Sequence, residues 1–223
     1  MLADPEGFAR LQRLGPRKVP VLARGDRFIF TQSLEDVAEF VGLASSGLVR
    51  LPPEALVEKW LVVLRTAQDY TRQFTPSRFE DDAVASRPRP VRVLAHHVFR
   101  VAEAFLETAV DGREYSIGAA NQESPVKLDR EAVARYGAAV VARVEAWWGG
   151  LASDGKAGRD CRAALPTYYG PQSTHQLLER CTWHSAQHVR QLAAVLEASG
   201  QVPAPRLAPE TLAGLPLPAG LWG

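Results

Sequence analysis

Disulfides cannot organise this chain. Its 223 residues contain two cysteines, Cys161 and Cys181, too few for a disulfide framework, and they read as reduced thiols of a cytosolic protein. There is no apolar run of about 20 residues, which excludes a helix crossing a bilayer. The opening "MLADPEGFARLQRL" has early acids and no apolar core, so it is not a secretory signal. Charge of one sign is also missing. With 26 Lys and Arg against 25 Asp and Glu, the net charge is +1, and neither nucleic acid nor an anionic membrane is expected as partner. Pro (16) and Gly (17) fall short of a disordered composition and cluster between the periodic segments. No repeat is visible. What remains is ordinary globular composition, 46% apolar and 23% charged, in a chain long enough to bury a substantial core.

Residues 1–43 differ in pattern from the rest. "GFARLQRLG" is a short amphipathic helix ended by Gly15. "RKVPVLARGDRFIF" reads as two short strands joined at Gly25-Asp26, a pair that suits a type II′ hairpin turn. "SLEDVAEFVG" starts with Ser33 as N-cap and stops at Gly42. This helix–strand–strand–helix unit is too small to bury both sheet faces. Its apolar set (Val19, Val21, Leu22, Phe28, Ile29, Phe30) and open strand edge predict a homodimer with this segment at or near the interface.

From Leu51 onward the pattern predicts four long helices and no strand. The first carries Leu56, Trp60, Val63, Leu64, Ala67 and Tyr70 on one face. The second is "PVRVLAHHVFRVAEAFLETAV". The third, "LDREAVARYGAAVVARVEAWW", has Asp129 as N-cap. The fourth, "STHQLLERCTWHSAQHVRQLAAVLEASG", opens with a Ser173–Gln176 capping box and ends at Gly200. The fold class is therefore mainly α, a four-helix bundle over residues 51–200 after the small N-terminal unit. Segments 111–128 and 150–172 exceed usual bundle turns, so at least one crosses an end of the bundle. The Pro-rich tail, 201–223, is expected to drape over the surface.

His184 and His188 are four residues apart, about 40° around a helix, and share its apolar stripe with Leu177, Cys181, Leu192 and Val195. An unpaired buried polar side chain costs about 1–3 kcal/mol, so two imidazoles there need partners. Core carbonyls or water could serve, and an H-x-x-x-H pair alone is a weak motif. The second helix changes the balance. His97 falls on its apolar stripe with Leu94, Val101, Ala104 and Phe105, whereas His96 belongs with Arg100, Glu103 and Glu107 on the wet face. His175 lies about 180° from His184. Three inward histidines make an open metal site with a coordination position left for water or substrate. Cys181 could be a fourth ligand or a reactive thiol, but reads as a small core residue. Trp147, Trp148 and Trp183 read as packing, and "PTYYGPQ" could bring Tyr168 or Tyr169 to the mouth of the site.

"VLAHHVFRVAEAFL" and "LLERCTWHSAQHVRQLAAVLE", at this separation, make residues 51 to about 199 resemble the DinB-like (damage-inducible) superfamily. That resemblance implies a four-helix bundle holding a divalent metal through His97, His184 and His188. Relatives include metal-dependent S-transferases and isomerases that use low-molecular-weight thiols, and metallohydrolases, so the fold implies the site but not the reaction. "KVPVLARGDRFIF" and "SLEDVAEFVG" are similar to the second half of a glutaredoxin, a partial thioredoxin-like unit. The resemblance puts Val19 and Pro20 on its cis-proline element, which lines a thiol-peptide groove. No cysteine precedes position 161 and nothing before Met1 supplies the first strand, so dithiol chemistry is not expected there. The segment either touches a thiol cofactor or only packs.

The expected function is a cytosolic metalloenzyme that transfers or isomerises through a small thiol such as glutathione, with an electrophile as co-substrate. A metal-dependent hydrolase and a non-catalytic metal-binding stress protein are the alternatives, since no general base stands out. Ligation by histidine alone suits zinc first, with nickel, iron or copper as rivals.

Overall fold

The structure, a computed structural model, describes residues 4–16, 20–43, 50–84, 87–151 and 156–222. The chain divides into two units, Met1–Arg50 and Leu51–Gly223.

In the first unit, Asp4 caps helix α1 (Pro5–Leu14) by accepting from the Gly7 N–H at 3.0 Å, and Gly15 ends it at φ +81°. Strands β1 (Val21–Arg24) and β2 (Arg27–Phe30) pair antiparallel, Val21 opposite Phe30 and Arg24 opposite Arg27. Gly25 takes φ +61° while Asp26 does not enter that region, as a type II′ turn requires. Ser33 and Gly42 bound helix α2 (Leu34–Val41). The helix–strand–strand–helix order is thus as the sequence predicts. Val21, Leu22, Phe28, Ile29 and Phe30 are only half-buried. Of the two residues assigned to a thiol groove, Val19 lies outside the described residues. Pro20 is exposed, and its carbonyl accepts from the Thr31 N–H at 3.2 Å. It lines a groove with Phe8, Leu11 and Leu14.

The second unit runs α3 (Pro53–Gln73), α4 (Pro76–Glu80), β3 (Asp82–Val84), β4 (Arg87–Pro90), α5 (Val91–Ala109), α6 (Ile117–Ala120) and α7 (Arg130–Gly150). It continues with α8 (Lys156–Arg159), β5 (Ala164–Leu165), β6 (Gln172–Ser173), α9 (Thr174–Ala198) and α10 (Pro209–Leu212). The chain is mainly helical, with small antiparallel strand pairs. Helices α3 and α5 each pack against both α7 and α9, and the stripes read from the sequence meet between them. Leu56, Trp60, Val63, Leu64, Leu94, Phe105, Leu177 and Leu192 are buried, each contributing about 1.5–3 kcal/mol of transfer free energy. Trp60 meets Phe105 edge-on at 5.3 Å and donates its indole N–H to the Ser185 hydroxyl at 3.0 Å.

Three expectations need correction. First, strands do follow Leu51, in the pairs β3–β4 and β5–β6. They are two to four residues long, β4 is Arg-Pro-Arg-Pro, and neither pair shows apolar alternation. Second, Arg100 is not on a wet face. It is buried, donating to Glu103 at 3.2 Å and Glu107 at 2.7 Å. Third, the tail is more than a surface drape. Leu215 is buried, and the Pro205 carbonyl accepts from the Tyr70 hydroxyl at 2.9 Å. The two long connections meet through the Tyr115–Thr167 bridge, in which the Tyr115 N–H donates to the Pro166 carbonyl at 2.9 Å.

Candidate metal centre

The site is built on α5 and α9. Pro90 precedes α5, where its fixed backbone and missing N–H suit a helix start, and His97 follows about two turns later. Helix α9 begins at a complete capping box, in which Ser173 and Gln176 satisfy each other's backbone N–H groups. With α9 started there, His184 and His188 stand one turn apart on the side facing α5.

The three imidazoles converge through the same atom. His97 Nε2 and His188 Nε2 each lie 3.1 Å from His184 Nε2, and the three ligand atoms all fall within 4.8 Å of one another. Three nitrogens bound tetrahedrally to one zinc ion at about 2.0–2.1 Å would be about 3.3 Å apart, so the spacing fits a metal. Hydrogen bonding within the trio fits less well. The Ala120 backbone acts to raise the His97 pKa, against the larger effect of burial. His188 Nδ1 lies 2.7 Å from Gln191 Oε1, an acceptor, so its proton is on Nδ1. The His188 Nε2 lone pair then points inward, and His184 Nε2, holding either a proton or a lone pair, can donate to His188 or accept from His97 but not both. A cation satisfies all three. Among the described residues no cysteine or carboxylate joins the group.

His97 is buried, and His184 and His188 are half-buried. The surroundings disfavour imidazolium. Burial lowers the His97 pKa well below 6.5, and His188 and Arg89 add to the effect. Burial, His188 and Arg180 do the same for His184. Neutral imidazole is the form a metal binds.

The other candidates fall elsewhere. His96 stacks on Tyr136 with centroids 5.0 Å apart and lines a polar cleft with Glu103 and Gln122. His175 Nε2 is 2.8 Å from the Leu51 carbonyl oxygen. Cys181 is wholly buried, its thiol pushed up to about 11 by desolvation, which suits a neutral core residue. Trp147, Trp148 and Trp183 pack on the core.

Arg89, Ala120, Arg180 and Gln191 were not singled out in the sequence. Arg180 stands one turn before His184 and is buried, donating to the Tyr115 hydroxyl at 2.9 Å. Tyr168 also hydrogen-bonds Arg180, and Tyr169 acts on it electrostatically. Helical spacing would have flagged Arg180 and Gln191, four residues before His184 and three after His188. Arg89 lies in β4 and Ala120 in α6, short elements between the long helices, and left no such signal. No protein-family model, curated protein or solved structure matches this chain.

Proposed function

We propose that the chain is a divalent-metal-dependent enzyme in which His97, His184 and His188 hold the ion, and that it transfers or isomerises through a small thiol of the glutathione kind. The DinB-like resemblance supports this reading, with the four long helices as its bundle. The observation that carries it is the convergence of three Nε2 atoms, with the outer nitrogen of His188 already engaged by Gln191. A bound divalent ion lowers the pKa of a thiol or water that it coordinates, so that the anion forms near neutral pH.

Arg180 and Arg89 act electrostatically on the histidines, and positive charge there favours a bound anion, thiolate or hydroxide alike. The glutaredoxin-like resemblance of residues 1–43 is what points to a thiol. Ligation by three histidines would leave a coordination position for the thiol. The cytosol supplies such thiols.

Turnover of an electrophile by the zinc-loaded protein tests the proposal. Turnover that requires glutathione is the expected result. Turnover without thiol identifies a hydrolase, and none with any thiol leaves a metal-binding protein without catalysis. The half-buried apolar set on the first unit supports the homodimer as well. Light scattering should show a dimer that becomes a monomer when residues 1–43 are deleted.

A further inference from the structure

We infer that the C-terminal segment 218–221 belongs to the metal site: through Gln191 it holds His188 in the tautomer that ligation requires, so that docking of this strap and metal affinity are coupled. The inference rests on the metal-binding reading above.

The Gln191 amide touches both partners. Its oxygen faces His188 Nδ1 at 2.7 Å, and its nitrogen donates to the Leu221 carbonyl at 2.8 Å. The carbonyl can only accept, so it decides which way the amide points. Were the amide reversed, its oxygen would face the Leu221 carbonyl oxygen, acceptor against acceptor, and its NH2 group would meet Nδ1. That would move the His188 proton to Nε2, turning a donor toward the site in place of the lone pair a metal needs. The strap therefore selects the ligating tautomer through one buried glutamine.

The grip on the strap is made by α9. Gln187 donates to the Gly220 carbonyl at 3.1 Å and to the Leu221 carbonyl at 2.8 Å. Arg190 donates to the Pro218 carbonyl at 3.0 Å and to Gln187 Oε1 at 2.7 Å. Gln187 and Gln191 are buried, whereas Pro218, Ala219 and Gly220 are exposed. The strap is thus held by its backbone and can be removed without emptying the core, since the tail residues that pack on it, Leu215 and Leu217, precede the strap.

The test compares the full chain, a chain ending at Leu217, Gln191→Leu and the two changes combined. Zinc affinity is read by chelator competition, the His188 tautomer by nitrogen NMR of the metal-free protein, and folding by circular dichroism. Removing the strap or the amide should each weaken zinc binding about 10–100-fold, and together no more than either alone. His188 should be Nδ1–H in the full chain and lose that preference in both variants. Gln191→Glu, which keeps the acceptor, should retain zinc binding even without the strap. Unchanged affinity with an unchanged tautomer in the shortened chain overturns the inference, as do additive losses. If the full chain binds no zinc, the metal-binding reading fails, and the tautomer comparison still decides whether the strap orients His188.

Discussion

His97 and His96 are neighbours in sequence, and the helix sends one to the trio and the other against Tyr136. Alanine at 97, 184 or 188 should therefore cut bound metal about tenfold or more, a loss as large as that of an outer partner or larger. His96→Ala and His175→Ala should leave it near wild type. Elemental analysis of the purified variants checks this, and full occupancy in His97→Ala would move the third ligand elsewhere. A pH dependence belongs to the same residues. The folded-state pKa values of His97 and His184 lie below the ordinary 6.5. Above that value both folded and unfolded chains carry neutral imidazole, and nothing is lost. As pH falls below about 6.5 the unfolded chain takes up protons that the folded chain refuses, and stability declines by about 1.4 kcal/mol per pH unit per group. The metal-free melting temperature should fall between pH 7 and pH 5. The fall should be shallower in His184→Leu; an equal slope would show that the trio is not its source.

At the scale of elements, α5 and α7 come close enough that one contact admits only glycine. A Cβ on Gly137 would lie 2.5 Å from the buried Phe99 ring. Alanine gains about 1 kcal/mol of helix propensity, but overpacking a filled interior costs about 1–3 kcal/mol. Gly137→Ala should thus destabilise by about 1 kcal/mol in denaturant titration, and Gly137→Ala with Phe99→Leu should recover part of the loss. A stabilised single variant would mean that the ring has room to move. The long helices were legible because each repeats its apolar residues over several turns and carries caps such as Asp129 and Ser173. The short pairs β3–β4 and β5–β6 were not. Two to four residues without alternation carry no period, and their pairing is imposed by the ends they join.

For the whole molecule, a metal held by the trio would add to a core that stands without it. Chelation should lower the melting temperature, because the ion binds the native state in preference to the unfolded one and at a hundredfold excess over Kd contributes about 2.7 kcal/mol of stability. Unfolding should stay cooperative in calorimetry, since Trp60, Phe105, Leu177 and their neighbours are buried regardless. An apoprotein without a cooperative transition would make the ion structural.

The sequence by itself determined the long helices, their inward faces and the choice of His97, His184 and His188 over His96 and His175. Those follow from a fixed 100° turn per residue, which places every side chain of a helix relative to its neighbours. It also determined the first unit's order, because Gly15, Gly25 and Gly42 punctuate it. Only the tertiary structure decided what surrounds the trio. Ala120, Arg89 and Arg180, which act electrostatically on the rings, and Leu221 behind Gln191 come from connections, a neighbouring turn and the tail. Contacts between distant segments depend on where the chain returns, and no periodicity within one helix encodes that.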